Sequence, residues 1–281
     1  MREINVGIIT NTVEKLCMDA NYYLPQDVVK ALEIAVEKER SPLGKEILMD
    51  ILKNQEIARH NNVPICQDTG LVVIFLELGQ EVRLVGEDVN EAINEGVRRG
   101  YKNGYLRMSC VDDPFLNRKN TGDNTPAIIH TTIVPGDKIK IILAPKGGGS
   151  ENMSALAMLK PSDGVDGIKK SVLDTVDKAG SNSCPPIIVG IGIGGTIEKT
   201  TLIAKKAILR IIGQHNENPE VTKLEEELLE AINNLGIGPQ GYGGSITALA
   251  VNIETFPAHI ASMPVAINIQ CHVSRHKEAI I

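Results

Sequence analysis

Tryptophan is absent from the 281-residue sequence, and aromatic residues of all kinds make up only 3% of it. Proteins that bind single-stranded nucleic acid usually stack the bases on aromatic side chains, so this class of partner is disfavoured. The excess of acidic over basic residues, a formal charge of −6, also argues against binding to a phosphate backbone. We therefore expect no nucleic-acid partner, and an anionic substrate would need a local positive pocket.

Long apolar runs are missing as well. No stretch reaches the roughly 20 apolar residues that span a bilayer. The opening segment MREINVGIIT lacks the basic flank, the apolar stretch and the cleavage site of a signal peptide. We expect a cytoplasmic protein without a membrane partner.

Cysteine is scarce, because the chain has five and none of them forms a Cys-x-x-Cys pair. This pattern disfavours both a secreted disulfide scaffold and a zinc ribbon. Single buried thiols usually serve packing, and we expect this of Cys17, in a helix-like segment, and of Cys110. The remaining three are Cys66, Cys184 and Cys271.

Apolar residues, in contrast, make up 42% of the chain, which is enough for a full hydrophobic core. Helix-like and strand-like patterns alternate along the sequence without a repeat or a clear linker. We predict a mixed α/β protein with central mixed sheets and flanking helices. We expect one continuous domain over residues 1–281.

Four local patterns predict particular elements. Ser41-Pro42 is typical of a helix start, with proline in the first helical position. The run LVVIFLEL predicts a strand that is buried on both faces. The segments AIIHTTIV and KIKIILAP flank the turn residues 135–137 and predict a hairpin. The segment PEVTKLEEELLEAINNLG predicts an amphipathic helix that ends at Gly236.

The glycine-rich segment from Gly190 to Thr196 matches Gly-x-Gly-x-x-Gly between a strand and a helix. A dinucleotide site should also have an acidic strand end about 20 residues later, where this chain has a helix end and a polar loop. A tight turn and an anion site at the helix start remain open. A nucleotide-binding oxidoreductase that uses the Gly190–Gly195 loop is the alternative from a different functional class.

Cys66, Cys184 and Cys271 all lie near prolines or at strand ends, where the backbone leaves regular hydrogen bonding. Three thiolates suit a soft metal or an iron–sulfur cluster better than Ca²⁺ or Mg²⁺. A set of three would leave one iron open to polarise a substrate oxygen. The spacing by itself leaves thiols without a metal equally open.

The segments ICQDTG, YLRMSC, KGGGSENMS, CPPIIVGIGIGGT and AHIASMPVAINIQCHVSRH occur in this order over nearly the whole chain. In this order and spacing the sequence resembles the alpha subunit of the iron–sulfur (class I) fumarate hydratases and of the related L-tartrate dehydratases. The resemblance implies a [4Fe-4S] cluster bound by Cys66, Cys184 and Cys271. It also implies a dicarboxylate pocket lined by Gln67, Asp68, Arg107, the Gly148 backbone and His259.

Three of these pocket residues have simpler interpretations. Asp68 can cap the turn at Thr69-Gly70 with its side chain, His259 can be a hydrogen-bonded core histidine, and Arg107 can be a solvated surface residue. If the resemblance holds, Asp68 and His259 handle protons, and Arg107 offers a fork-shaped donor to a carboxylate.

The resemblance implies that residues 1–281 form the catalytic, cluster-binding domain of an oxygen-sensitive hydro-lyase. This enzyme would reversibly hydrate fumarate to L-malate. L-tartrate dehydration, mesaconate hydration and a noncatalytic cluster-binding assembly subunit remain alternatives. In the resembling single-chain enzymes a second domain supplies the remaining base and basic residues, whereas this chain stops ten residues after Cys271. We therefore expect a separate beta subunit, in a symmetric assembly of alpha–beta pairs.

Overall fold

The computed structural model describes residues 1–281. The helices are α1 (Val6–Tyr22), α2 (Gln26–Lys38), α3 (Pro42–Asn61), α4 (Val89–Asn103), α5 (Gly148–Glu151), α6 (Gly164–Ala179), α7 (Ile197–Ala207) and α8 (Pro219–Asn233). The strands are β1 (Arg2–Asn5), β2 (Leu71–Gly79), β3 (Val82–Val85), β4 (Ile128–Val134), β5 (Ile139–Lys146), β6 (Ala155–Leu159), β7 (Ile187–Gly194), β8 (Ala248–Phe256), β9 (Met263–Gln270) and β10 (Lys277–Ile280). Helices and mixed sheets occur together, which confirms the predicted mixed α/β class.

The chain divides into two compact units. The first unit consists of Met1–Pro25, Asn54–Gly148 and Arg275–Ile281, and the second consists of Gln26–Lys53 and Gly149–Ser274. That residues 1–281 act as one catalytic domain stays a prediction. None of the helices has both the length and the apolar character needed to cross a membrane.

A four-stranded sheet in the order β10-β5-β2-β4 forms the centre of the first unit. The predicted strand LVVIFLEL is β2, and residues 72–76 on both of its faces are buried. Helices α1 and α4 pack closely together, because Gly96 has no side chain to hold them apart: a Cβ atom there would lie 2.6 Å from the Thr10 carbonyl oxygen. The core of this unit lies among these two helices and the sheet.

The predicted hairpin between β4 and β5 is wrong. Both strands pair with β2 instead, β4 in parallel and β5 antiparallel, so β2 lies between them. The loop that joins them crosses the end of β2, where the Gly79 N–H donates to the Lys138 carbonyl at 2.9 Å. A Cβ atom on Gly79 would lie 2.5 Å from the Gly136 carbonyl oxygen, so glycine permits this crossing.

A second four-stranded sheet, in the order β6-β9-β7-β8, forms the centre of the second unit. Its core contains residues of α6, α8 and the sheet. The predicted amphipathic helix is α8, which begins with the Asn218 side chain accepting from the Glu220 N–H at 3.0 Å. The chain then turns at Gly236, where φ is +71°. The predicted helix start at Ser41-Pro42 is confirmed as the beginning of α3.

Two glycines of the Gly-x-Gly-x-x-Gly segment lie inside β7 and not in a loop. A Cβ atom on Gly190 would lie 2.4 Å from the Ala204 carbonyl oxygen, and one on Gly192 would lie 2.2 Å from the Thr200 carbonyl oxygen. Both glycines therefore allow α7 to lie directly on the strand. Since packing explains this pattern, it no longer indicates a nucleotide site.

This packing role predicts that Gly192→Ala destabilises the chain. An added methyl group has to displace the α7 backbone, and overpacking of this kind costs about 1 to 3 kcal/mol. Thermal or urea unfolding measures the loss. Gly149→Ala is the matched control, because the nearest atom to its Cβ position is the Asn182 carbonyl oxygen at an ordinary 3.6 Å. Equal stability of the two variants would contradict the packing role.

Candidate active site

The segment before β2 carries the first group of predicted site residues. Ile65 anchors it, because its N–H donates to the Asn21 carbonyl at 3.0 Å and its carbonyl accepts from the Asn54 side chain at 2.9 Å. The next residues leave regular structure: Cys66 is half-buried and Gln67 is exposed. Ile65 therefore anchors the beginning of the segment, and the residues that follow it present polar side chains at the surface.

Asp68 uses both carboxylate oxygens as acceptors. Oδ1 accepts from the Gly70 N–H at 2.9 Å, which is the side-chain cap considered from the sequence. Oδ2 accepts from the Gly148 N–H at 2.8 Å, at the start of α5. A Cβ atom on Gly147 would lie 3.1 Å from Oδ2, so the KGGG segment needs glycine to approach this closely. These two hydrogen bonds fix the carboxylate in one orientation.

Three buried side chains donate hydrogen bonds to the backbone around Asp68. The carbonyls of residues 68, 69 and 70 are all acceptors, and Arg275 donates to the first of them. The Tyr101 hydroxyl lies 2.7 Å from the second and 3.0 Å from the third, and Asn124 donates to the third at 3.2 Å. Burial raises the pKa of Tyr101 well above its ordinary value, which keeps its hydroxyl protonated. The loop is therefore ordered before any ligand binds.

Arg107 lies on the loop that follows α4, and this loop is tied to the Asp68 segment. The Thr69 hydroxyl donates to the Arg107 carbonyl at 2.8 Å. The Asn124 side-chain oxygen accepts from the Ser109 N–H at 2.7 Å, which fixes the same loop further along. Arg107 itself is exposed. The first unit thus brings together four of the predicted pocket residues, Gln67, Asp68, Arg107 and Gly148.

In the second unit, Cys184 and Cys271 lie at one end of the β7–β9 strand pair. The antiparallel register places Ile188 opposite Gln270, so the segment before β7, which contains Cys184, and Cys271, which directly follows β9, lie at the same end of the strand pair. The His272 N–H donates to the Cys184 carbonyl at 3.3 Å. Cys184 is exposed and has φ of +54°, a conformation that is uncommon for a residue with a side chain and is often found at functional sites.

His259 lies elsewhere in the second unit. It is exposed on the connection between β8 and β9, at the start of β9, whereas Cys271 follows the end of that strand. Eight strand residues separate these two ends by about 26 Å. The His259 ring instead accepts from the Ala261 N–H at 3.1 Å. Its expected place in the pocket stays a prediction.

Cys17 and Cys110 have the environments of packing thiols. Cys17 is fully buried between α1 and α4, and burial, followed by the nearby Glu14, raises its pKa well above the ordinary value. Burial also raises the pKa of Cys110. A raised pKa disfavours the thiolate that metal binding needs.

Cys66 lies in the first unit, and Cys184 and Cys271 lie in the second. No group of three or more histidine, cysteine, aspartate or glutamate side chains is placed to hold a metal. The donor chemistry fits an iron–sulfur cluster, because all three are thiols that are exposed or half-buried next to irregular backbone. Cys184 and Cys271 already lie at the same end of the β7–β9 strand pair.

Comparison with known proteins identifies the family of this chain. A family model described as Fumarate hydratase (Fumerase) matches residues 10–280. The chain belongs to the fumarate hydratase family. The resemblance inferred from the sequence motifs is thereby confirmed, and the chain is similar to members of a hydro-lyase family over almost its whole length.

Two relatives in the fumarate hydratase family are close to this chain over most of their length. A Methanocaldococcus jannaschii protein named "Putative L(+)-tartrate dehydratase subunit alpha" is 48% identical over 273 residues, which cover 95% of each chain. The L(+)-tartrate dehydratase subunit alpha of Escherichia coli (strain UTI89) is 33% identical over 272 residues, which cover 96% of this chain and 89% of the relative.

Sequence reasoning missed the residues that hold the site together in this member of the fumarate hydratase family. Arg275, Tyr101 and Asn124 bind the Asp68 segment, and Gln240 donates to the Pro185 carbonyl at 2.7 Å beside Cys184. Arg275 offered a usable signal, since it lies four residues after Cys271 in a motif already singled out. The other three lie in segments without such a mark.

Proposed function

We propose that this chain is the alpha subunit of a [4Fe-4S]-dependent hydro-lyase that reversibly hydrates fumarate to L-malate. The observation that carries the proposal is the Asp68 segment, where an ordered carboxylate and an exposed amide directly follow a half-buried cysteine. Family membership supports the reaction class. A cytoplasmic location stays a prediction.

Cys66, Cys184 and Cys271 are the proposed cluster ligands. When bound, a cluster with three protein ligands would supply an open iron that acts as a Lewis acid toward a substrate oxygen. The adjacent Gln67 would orient the substrate through its amide group, which both donates and accepts hydrogen bonds. Because Cys66 and Gln67 are neighbours, one segment would contribute to both functions.

Asp68 is the proposed proton-handling group of this chain. Its two hydrogen bonds, to the N–H groups of Gly70 and Gly148, fix the carboxylate in one orientation. Preorganised geometry of this kind is what proton transfer requires. Since the Gly148 N–H already donates to Asp68, we propose that Gly148 acts by holding Asp68. The second candidate, His259, depends on the resemblance alone.

Arg107 is the proposed carboxylate clamp. It is exposed, while its backbone is tied to the Asp68 segment through Thr69, so the guanidinium extends from an anchored position. A guanidinium pairs with a carboxylate through two parallel hydrogen bonds, which suits a dicarboxylate substrate. Arg107 can pair with only one of the two substrate carboxylates. We therefore propose that a beta subunit supplies the cationic groups for the other, in an assembly of alpha–beta pairs. The names of the relatives, which are alpha subunits, support this partner.

L-tartrate is the second candidate substrate, because the relatives at 48% and 33% identity are named for its dehydration. Mesaconate is a third, since it differs from fumarate by one methyl group. The oxidoreductase alternative has lost its support, as the glycines of β7 are explained by helix packing.

A substrate comparison tests the proposal. The chain is reconstituted with iron and sulfide without oxygen, combined with its beta subunit, and assayed for kcat/KM with fumarate, L-malate, L-tartrate and mesaconate. We expect fumarate and L-malate to be used best, by at least about tenfold, which corresponds to about 1.4 kcal/mol. A preference for L-tartrate would transfer the assignment to the second candidate, and no conversion of any diacid would overturn the proposal.

Arg107→Ala is expected to weaken catalysis while the cluster is retained. Arg107 is exposed in the chain, and we propose that the substrate and the beta subunit enclose it. Truncating one partner of an enclosed, hydrogen-bonded charge pair costs about 2 to 5 kcal/mol, which should appear in kcat/KM for the diacid. The matched control is Arg83→Ala, since Arg83 forms an exposed ion pair with Glu3 at 3.1 Å that contributes little. Unchanged kinetics for Arg107→Ala would make it a surface residue.

A further inference from the structure

Arg275, which belongs to the first unit, is buried, with 3% of its surface exposed. Its Nη2 donates to the Asp68 carbonyl, whereas its Nε and Nη1 atoms are buried and have no hydrogen-bond partner in the chain. A buried cation without full pairing costs several kcal/mol. Arg275 has no ion pair with an acidic residue that would offset this cost, so packing stability alone does not account for an arginine here.

The carboxylate of Asp68 and the guanidinium of Arg275 flank the same glycine. A Cβ atom on Gly147 would lie 3.1 Å from Oδ2 of Asp68 and 4.0 Å from Nη2 of Arg275. Both charges also act on the buried Tyr101 hydroxyl, where Arg275 lowers the pKa and Asp68 raises it, each by less than burial does. The Arg275 guanidinium and the Asp68 carboxylate therefore lie close to the same glycine backbone.

We propose that Arg275 is a positioning residue that holds Asp68 in place for its proton-transfer step, an inference that rests on the proposed function. Arg275 holds the Asp68 main chain directly, while the N–H groups of Gly70 and Gly148 hold its side chain. Because Arg275 is buried, it acts on the orientation of Asp68 without contacting the substrate.

Removal of the cation should slow the proton-transfer step itself. We expect Arg275→Gln to lower kcat by about 100-fold, the lower limit for a well-placed general acid or base, with KM for the diacid changed less than about threefold. Arg275→Lys retains the charge but not the fork-shaped geometry, and we expect it to lower kcat by about tenfold. In both variants the solvent deuterium isotope effect on kcat should rise, because the misplaced Asp68 makes proton transfer more rate-limiting.

The experiment uses the reconstituted chain together with its beta subunit, with kcat expressed per cluster from the visible absorption. Arg210→Gln is the matched control: the Arg210 side chain is also largely covered, with 10% of it exposed, but it lies in the second unit, in ion pairs with Glu225 and Glu254 at 2.6 and 2.5 Å. Its loss should lower the unfolding temperature and leave kcat per cluster and the isotope effect at wild-type values.

Three outcomes are distinguishable. A lowered kcat per cluster with a raised isotope effect in the Arg275 variants supports the inference. An active wild type with unchanged kcat per cluster in Arg275→Lys, or with a wild-type isotope effect in both variants, overturns it while the proposed function stands. A wild type that converts no diacid overturns the proposed function, and the inference with it. If Arg275→Gln does not fold, Arg275→Lys decides the matter.

Discussion

Replacement of Cys66, Cys184 or Cys271 with serine is expected to abolish both the broad visible absorption of the reconstituted protein and its hydro-lyase activity. Iron–sulfur clusters are held by cysteine thiolates, and a set of three has no ligand to spare. Cys184 and Cys271 lie at the same end of the β7–β9 strand pair in the second unit. Cys66 directly precedes Gln67 and Asp68, which we propose to contact the substrate. Absorption spectra, iron and sulfide content, and diacid turnover measure the loss.

The other two cysteines are the controls for this experiment. Cys17→Ala and Cys110→Ala remove thiols that burial keeps protonated, so cluster content and activity per cluster should remain at the wild-type level. Cys17→Ala costs only packing energy, about 1 kcal/mol for a small buried side chain. Equal loss of the cluster in all five variants would contradict the ligand assignment, and so would a cluster retained in the first three.

Without its beta subunit, the reconstituted chain is expected to hydrate fumarate at least about 100 times more slowly than the complex. The described residues near Asp68 offer one exposed arginine, Arg107, for two substrate carboxylates, and Arg275 is buried. Loss of a single preorganised donor to a developing charge costs about 100- to 1,000-fold in kcat. Malate formation is measured before and after the candidate beta subunit is added.

An unrelated protein at the same concentration controls for nonspecific stabilisation in this experiment, and cluster absorption is monitored throughout. The cluster should be present in the lone chain, so that the missing activity reflects missing residues. Full activity from the lone chain would show that the proposed division of the site between two subunits is wrong.

Local patterns predicted the local structure. The buried run of β2, the proline at the start of α3 and the apolar stripe of α8 each depend on neighbours within a few residues, and all three elements occur as predicted. The predicted hairpin was wrong because strand pairing depends on residues that are far apart in the sequence. A short turn favours adjacent strands, but here β2 occupies the position between β4 and β5.

In the candidate active site, too, contacts between neighbouring residues could be predicted from the sequence, whereas contacts between distant segments could not. The cap of Asp68 on Gly70 is local, and the sequence suggested it. Arg275 is 207 residues from Asp68 and Tyr101 is 32 residues from Thr69, so no spacing rule connects them. Arg275 lies close because β10, which follows it, pairs with β5 in the first sheet, and Tyr101 lies close because its helix α4 packs in the same core. The proximity of Cys184 and Cys271 likewise depends on the register of two strands.

Reversible inactivation by oxygen tests the central claim most directly. The reconstituted complex is assayed with fumarate before exposure to air, after exposure, and after treatment with ferrous iron and a reductant. An iron without a cysteine ligand is accessible to oxygen and easily lost, so we predict that air abolishes malate formation and that iron with reductant restores it. Activity that survives air and needs no iron would contradict the assignment of this chain as the cluster-binding subunit of a hydro-lyase.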